Sequence, residues 1–392
     1  MPLLFTSGTA RGGTNLRTFM LDQHPAISMA IDPFLPLFRY YRDSLLRSAG
    51  HEELLRQGSG ALDDYYYSDT KLAVMRAIQE ADPDIPFEMA GWDVLRKALV
   101  SRLTLTSANL LSGLDGLPAA TFKGVFENCQ KLVAGRKDGP LAWCGFNDNW
   151  AAEFMPALSR LFPDAKFMLH LRDPRGVVSS SEFAEPDPRK RPTVMSFSRH
   201  LRKYIALSEF LQSQPSLSGR LLITHYEPLL RDPQGQVSRM TRFLGLDAVP
   251  EMLDVSRFRR GDGSLHGTTW PVFQASGDIW RVQLPRDIAE IVEFICAPDM
   301  RMLGYEPEIY DEARGLSASA FEFAVRNSHE CLGWRTDFAE IEHTIGCELF
   351  RRRMLTAGAP FSDAEIARAF LFPALFHKLK AFDTRETGSR PS

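Results

Sequence analysis

Residues 3–21 constrain this chain more than any other stretch. Leu3, Leu4 and Phe5 make a short apolar run, which enters the loop Thr6-Ser7-Gly8-Thr9-Ala10-Arg11-Gly12-Gly13-Thr14-Asn15. Leu16, Phe19, Met20 and Leu21 then recur at helical spacing. A strand, a tight glycine loop and a helix N-terminus in succession form an anion site, because free backbone N–H groups converge where the helix dipole favours negative charge. Glycines let the backbone approach the anion, Arg11 supplies a fixed cation, and Thr14 and Asn15 add side-chain donors. The expected ligand is a phosphate or a sulfate. The nearest alternative is the nucleotide-triphosphate loop, Gly-x4-Gly-Lys-Ser/Thr. Gly8 and Gly13 have its spacing, but Thr14 and Asn15 occupy the lysine and hydroxyl slots. Glycine-rich strand–helix turns also occur for packing alone.

A second segment points the same way. Ala165–Leu171 reads as a buried strand, and Arg172-Asp173-Pro174-Arg175-Gly176-Val177-Val178-Ser179-Ser180 follows at once. The strand's end delivers an arginine, the Asp-Pro turn breaks the strand, and a helix begins. The spacing lets Arg172 and Ser180 face one side of the sheet's carboxyl edge, where open α/β sheets bind ligands. An arginine and a hydroxyl aimed at one point suit a phosphate monoester.

On these two segments the chain resembles sulfotransferases that use 3′-phosphoadenosine 5′-phosphosulfate (PAPS). The resemblance implies that Gly8, Arg11, Gly12, Gly13, Thr14 and Asn15 hold the 5′-phosphosulfate, with Gly12 where serine is usual. It implies that Arg172 and Ser180 hold the 3′-phosphate. Leu221-Leu222-Ile223-Thr224-His225-Tyr226-Glu227 resembles the family's strand ending in Tyr-Glu, which puts Tyr226 near the nucleotide. Phe243-Leu244-Gly245-Leu246 follows as in relatives, and the run from Gly277 through Trp280 to Tyr305 resembles the closing segment, adding Trp280 to the cofactor residues. The implied fold is a P-loop-like three-layer α/β/α domain with a central parallel sheet. Residues 1–308 are then the catalytic domain, with 34–120 a largely helical insertion, and 309–392 a C-terminal helical appendage. The implied reaction moves a sulfuryl group from PAPS to a hydroxyl acceptor without a metal. The acceptor is read as a carbohydrate or small metabolite, with peptide tyrosine as the alternative. A P-loop-type kinase and a non-catalytic nucleotide-binding module are the competing readings.

Sulfuryl transfer is formally like phosphoryl transfer, an in-line displacement catalysed by positioning and charge stabilisation. Arg11 is the residue expected to stabilise charge on the bridging oxygen. A base must take the acceptor's proton. Asp32, in Met29-Ala30-Ile31-Asp32-Pro33, matches the position of a catalytic glutamate in the tyrosylprotein branch of the family. Its competing role is the N-cap of a helix beginning at Pro33. His266, in the Gly261–Gly267 loop, is the next candidate, whereas His24, His170 and His225 read as structural. Many relatives carry a lysine where Asn147 stands, which makes Lys123 a candidate substitute.

The remaining readings set limits. A net charge of −3 over 392 residues gives no reason to invoke nucleic acid or an anionic membrane. No apolar run approaches a membrane span, and a core strand starting almost at Met1 leaves no room for a signal peptide, so a cytoplasmic location is expected. Cys129, Cys144, Cys296, Cys331 and Cys347 are scattered without CxxC spacing and read as thiols. The sheet is expected to resume near Phe122 and at Leu141–Gly145, with helices at 150–162 and 194–212. Beyond Glu308, helices are expected near 317–333, 338–357 and 363–382, with Ser362 capping the last and Pro373 kinking it. Arg351-Arg352-Arg353 reads as a solvated face. The apolar faces of these helices are expected to pack within the chain, a homodimer through them being the alternative.

Overall fold

The computed structural model describes residues 1–55, 65–181, 191–258, 270, 274, 276–311, 338–358 and 360–388. The chain opens with strand β1 (Leu3–Gly8), helix α1 (Thr14–Asp22) and strand β2 (Ile27–Ile31). Helices α2 (Leu35–Ser48), α3 (Trp92–Thr106) and α4 (Phe122–Ala134) precede β3 (Trp143–Asn147), α5 (Ala151–Leu161) and β4 (Lys166–Leu171). Helices α6 (Pro174–Ser179) and α7 (Arg191–Gln212) lead to β5 (Leu221–His225), α8 (Tyr226–Arg231) and α9 (Pro233–Leu244). Helices α10 (Arg286–Met302), α11 (Phe338–Thr356), α12 (Asp363–Phe370) and α13 (Pro373–Gly388) follow. Contacts divide the chain into two compact units: Met1–Ala61, Val74–Arg172 and Leu211–Gly277 in the first, and Leu62–Ala73, Asp173–Phe210 and Asp278–Ser392 in the second.

The first unit holds a five-stranded parallel sheet in the order β2-β3-β1-β4-β5. Every residue of the central β1 is buried, as a parallel strand covered on both faces requires. Period-two alternation sorts its side chains. Leu4 joins Met168, Leu222 and Trp143 on the face covered by Leu16, Met20 and Leu21 of α1 and by Val237 and Met240 of α9. Phe5 turns the other way. Its ring lies 5.4 Å from Phe146 and 5.6 Å from Phe167, against Phe126 of α4. Aromatic pairs of this kind add roughly 0.5–1.5 kcal/mol each beyond the area they bury. Helices on both faces give the three-layer α/β architecture.

Register brings the carboxyl ends of the strands level. Asn147 of β3 lies opposite Ile31 on one side and Thr6 on the other, and Gly8 lies opposite His170. The chain leaves β1 toward β2 at one edge, while β3 and β4 continue toward the other, so the direction of winding reverses at β1. Such a reversal opens a crevice at the strands' carboxyl ends.

In the second unit, Ile288, Ile291, Val292 and Ile295 of α10 pack with Val194, Phe197 and Leu201 of α7 and with Ile341 and Ile345 of α11. Helices α11, α12 and α13 contact one another, α13 reaches α10, and Phe370, Leu375, Phe376 and Leu379 are buried. Much of the apolar surface of these C-terminal helices is thus buried within their own unit, while Leu349 of α11 is 42% exposed.

Four local expectations need correction. Phe122 is not in a strand: the Thr121 hydroxyl accepts from the Gly124 N–H at 3.4 Å, and Phe122, Val125, Phe126, Cys129 and Val133 form the buried stripe of α4. Strand β5 ends at His225, and Tyr226 opens α8. The helix expected over 363–382 is two helices, because Leu371 adopts φ 67° and Pro373 starts α13 afresh. Ser362 does cap α12, in a capping box with Glu365. Arg351 is not solvated. It is 1% exposed, pairs with Asp299 at 2.9 Å and donates to the Ala369 carbonyl. The helix expected near 317–333 and Cys331 lie outside the described residues, and the other four cysteines are free thiols. Among the described residues no helix is long and apolar enough to cross a membrane.

Candidate active site at the carboxyl edge of the sheet

After β1 the backbone turns tightly, with the Gly12 N–H donating to the Thr9 carbonyl at 3.0 Å. Arg11 sits in the left-handed region at φ 63°, which costs a non-glycine residue roughly 1–3 kcal/mol and marks functional loops. Gly13 is also left-handed at φ 88°, and a Cβ there would lie 2.2 Å from the Tyr226 ring. At Gly12 a Cβ would meet the Thr9 hydroxyl at 2.6 Å and the Thr9 carbonyl at 2.9 Å, so the turn as folded here leaves little room for a serine. Helix α1 starts with no side-chain cap, so its first N–H groups face the loop without a side-chain acceptor. Arg11 is exposed, Asn15 half-buried and Thr14 buried. The Arg172 guanidinium donates to the Arg11 carbonyl at 2.8 Å and the Ser276 carbonyl at 3.2 Å, and lies 4.2 Å from the Tyr226 ring. Tyr226 in turn shares a 2.7 Å hydrogen bond with the Ser276 hydroxyl. Loop, arginine and tyrosine are therefore locked together within the first unit.

Asp32, directly after β2, is the centre of a polar cluster. Its N–H donates to the Asn147 carbonyl at 2.7 Å and its own φ is 45°. Its carboxylate accepts from Asn147 Nδ2 at 3.1 Å and Asn149 Nδ2 at 3.3 Å, and Arg102 of α3 lies 3.5 Å away. Arg102 Nε and the Thr106 hydroxyl hold the Asp32 carbonyl. Burial pushes the Asp32 carboxyl up to about 6, against the opposing pull of Arg102, Asn147 and Asn149. Asp148 is driven well above the carboxylate range by burial and by the neighbouring Asp32 charge. The competing capping role for Asp32 is absent: α2 begins at Leu35, and the Phe34 N–H goes to Asp148 Oδ2 at 2.8 Å.

The cluster contains residues that sequence reasoning missed: Arg17, Arg102, Asp148 and Asn149. Arg17 alone left a signal. It falls among Leu16, Met20 and Leu21 on the buried side of α1, a position where a charged residue needs a reason. Asn147, noted only for lacking a lysine's charge, is fully buried and bonded to Thr6, Arg17 and Asp32.

The other expected residues sort as follows. His24 joins the Asp247 carbonyl and the Ala26 N–H, and buried His170 bonds the Thr224 hydroxyl, both local structural roles. Burial lowers the pKa of both His170 and His225. Lys123 pairs with Glu127 on the exposed side of α4. In the second unit, Ser180 is the C-cap of α6 and donates to the Gly176 carbonyl at 2.9 Å. Trp280 is buried there beneath the Arg175 guanidinium, 3.9 Å from its ring centre. His266 lies outside the described residues. Among the described residues no group of three or more His, Cys, Asp or Glu side chains could hold a metal.

Comparison with known proteins gives the family. A family model described as "Sulfotransferase family" matches residues 2–251. Carbohydrate sulfotransferase 3 of Tetronarce californica is 26% identical over 164 residues, covering 36% of this chain and 36% of that protein. Protein-tyrosine sulfotransferase 2 of Gallus gallus is 24% identical over 327 residues, covering 78% of this chain and 70% of that protein. The carbohydrate sulfotransferases that head the comparison are matched over less than half of their own length, 22–44%. Among solved structures, the sulfotransferase domain of the Synechococcus PCC 7002 olefin synthase aligns with a TM-score of 0.43 at 17% identity, covering 78% of this chain and 95% of that one.

Proposed function

The chain belongs to the sulfotransferase family, and from that premise we propose that it transfers a sulfuryl group from PAPS to a hydroxyl acceptor. The observation carrying this reading is the presence, on one sheet edge, of an uncapped helix start beside Arg11 and a buried carboxylate, Asp32, lifted to about 6. The loop fits an anionic donor. Ser7–Asn15 contains no carboxylate, its glycines let the backbone approach a ligand closely, and Arg11 projects an exposed cation. When bound, PAPS supplies the sulfuryl group and departs as 3′-phosphoadenosine 5′-phosphate. Gly8, Gly12, Gly13, Thr14 and Asn15 bind its 5′ end, and Arg11 stabilises the negative charge that builds up there. Arg172 is assigned to the 3′-phosphate, with Ser180, Tyr226 and Trp280 as the further nucleotide residues that the family resemblance implies.

Asp32 is assigned as the base. A carboxylate with a midpoint near 6 is ionised at neutral pH yet basic enough to accept the acceptor's proton as the new bond to oxygen forms. No protein-bound metal is assigned. Carbohydrates and small hydroxylated metabolites are the preferred acceptors. Peptide tyrosine is the second reading, favoured by the 78% of the chain that aligns with the chicken protein-tyrosine sulfotransferase.

Calorimetry tests the donor assignment. Binding of 3′-phosphoadenosine 5′-phosphate without magnesium should exceed that of ADP by roughly 30-fold or more, the loss expected when a buried cation forfeits its phosphate. Equal affinities, or strict magnesium dependence, would favour phosphoryl transfer instead. A screen of carbohydrate, metabolite and tyrosyl-peptide acceptors with labelled PAPS then separates the two acceptor readings.

A further inference from the structure

We propose that Arg17 is a positioning residue for Asp32: it fixes the orientation of the Asn147 side-chain amide, which presents its NH2 group to the carboxylate, so that Arg17, Asn147 and Asp32 act as an amide-bridged ion pair. The catalytic consequence rests on the reading of Asp32 as the base; the physical arrangement does not.

A guanidinium only donates hydrogen bonds, whereas a side-chain amide has one donating and one accepting end. Arg17 Nη2 lies 3.0 Å from Asn147 Oδ1, and the Thr6 hydroxyl donates to the same oxygen at 3.2 Å. The other end of the amide, Nδ2, is then committed to Asp32 Oδ1 at 3.1 Å. Flipping the amide would set NH2 against a guanidinium and a carbonyl oxygen against a carboxylate. Arg17 and Asn147 are both fully buried, so no water is at hand to relieve either mismatch.

Arg17 itself needs an explanation that packing does not give. Its guanidinium is held by the Ser7 carbonyl at 3.4 Å and by Asn147, its Nε has no hydrogen-bond partner, and no carboxylate among the described residues comes within ion-pair distance. Burial lowers its pKa to about 9, which still leaves it charged at neutral pH. The negative charge that answers it is Asp32, one amide away. Three charged or titratable groups face Asp32: Arg102 from α3, Asp148 from the segment after β3, and Arg17 from α1 through Asn147. Burial and the neighbouring Asp32 charge both push Asp148 up, so the two carboxyls resist ionising together.

The test follows the Asp32 carboxyl by 13C NMR in the full chain without ligands, with the resonance assigned by its loss in Asp32→Asn. In Arg17→Met the Asp32 midpoint should rise by about one unit, because the carboxylate loses a fixed donor and a nearby positive charge. Arg17→Lys should restore most of the shift. Asn147→Leu should raise the midpoint as well, which keeps the test open if Arg17→Met does not fold. In the unmutated protein, the Asn147 side-chain NH2 signals should move with the Asp32 midpoint. In kcat/KM profiles the acidic limb should move up with the midpoint, so Arg17→Met loses more activity at pH 6 than at pH 8. A merely structural role would lower activity equally at both.

Unmoved midpoints in folded Arg17→Met or Asn147→Leu, or Asn147 signals indifferent to pH, would overturn the proposal. The two readings fail differently. If sulfuryl transfer is the wrong reaction, the NMR shifts remain but no PAPS-dependent turnover appears. If the positioning role is wrong, turnover appears while the midpoints stay flat.

Discussion

Each unit of this protein buries a cluster of charges, and the two clusters are built on opposite terms. In the second unit every buried acid among the described residues meets a guanidinium at close range. Arg175 lies 2.7 Å from both Asp173 and Glu293, Arg202 lies 2.6 Å from Glu348, and Arg351 lies 2.9 Å from Asp299. In the first unit, among the described residues, Arg17 has no carboxylate within ion-pair distance and Asp32 reaches Arg102 only at 3.5 Å. Titration separates Glu348 from Asp32: burial pushes Glu348 up, but Arg202, with Arg351 and Arg199, holds the carboxyl below its ordinary value, whereas burial wins at Asp32, as it also does at Asp299. Closed pairs fasten helices together. An incompletely paired cluster stores a carboxylate at a midpoint useful for proton transfer, at a cost in stability.

The largest expected effect breaks a closed pair. Glu348→Gln leaves the fully buried Arg202 guanidinium without its counter-charge and should cost about 3–5 kcal/mol in urea unfolding. Turnover per folded molecule should stay near normal. A variant with full stability would show that the second unit's pairs do not fasten it. Arg172→Ala comes next: calorimetry should show 3′-phosphoadenosine 5′-phosphate bound about 2–4 kcal/mol more weakly. Unchanged affinity would remove Arg172 from the nucleotide site. Asp32→Asn should then lower turnover by about 100-fold while nucleotide affinity holds. Full turnover in that variant would turn attention to His266.

Much of this was legible in the sequence, for identifiable reasons. The β1 loop, the β4–Arg172 junction, α5 and α7 announce themselves because turn chemistry and periodicity are local. Asp32 was singled out by its match to the position of a catalytic glutamate in the tyrosylprotein branch of the family. What stayed hidden depends on partners far along the chain. Arg351 looks solvated beside Arg352 and Arg353, since its partners Asp299 and Ala369 are 52 and 18 residues away. Asn147 looked like a lost cation, because its role exists only when β3 lies between β1 and β2 and brings Arg17 and Asp32 to either end of its amide. Phe122 was a different failure. Its stripe of Val125, Phe126, Cys129 and Val133 was already helical in spacing, and Thr121 was the overlooked start signal.

The smallest expected effect sharpens the comparison most, because it gives Asp32 and Glu348 opposite slopes with pH. Asp32 has a folded midpoint of about 6 against an ordinary value of 3.8, so the folded state binds its proton more tightly than the unfolded chain does. The stabilisation from that proton is complete below the ordinary value and lost as pH rises through about 6. Above that, the buried carboxylate is a liability that Asp32→Asn removes. A shift of about two units corresponds to roughly 3 kcal/mol. The asparagine must also turn its own NH2 toward one of the donors on Asn147 and Asn149, so a gain of about 1–2 kcal/mol at pH 8 is expected. That gain should vanish near pH 4. Glu348 has the reverse sign: its depressed midpoint stabilises the fold above the ordinary carboxylate range, so Glu348→Gln should cost most at pH 8 and less as pH falls toward 3. Paired urea titrations at pH 8, 6 and 4 read both slopes. A difference for Asp32→Asn that does not change with pH would mean that Asp32 is no more costly to ionise than Glu348, and the contrast between them would fail.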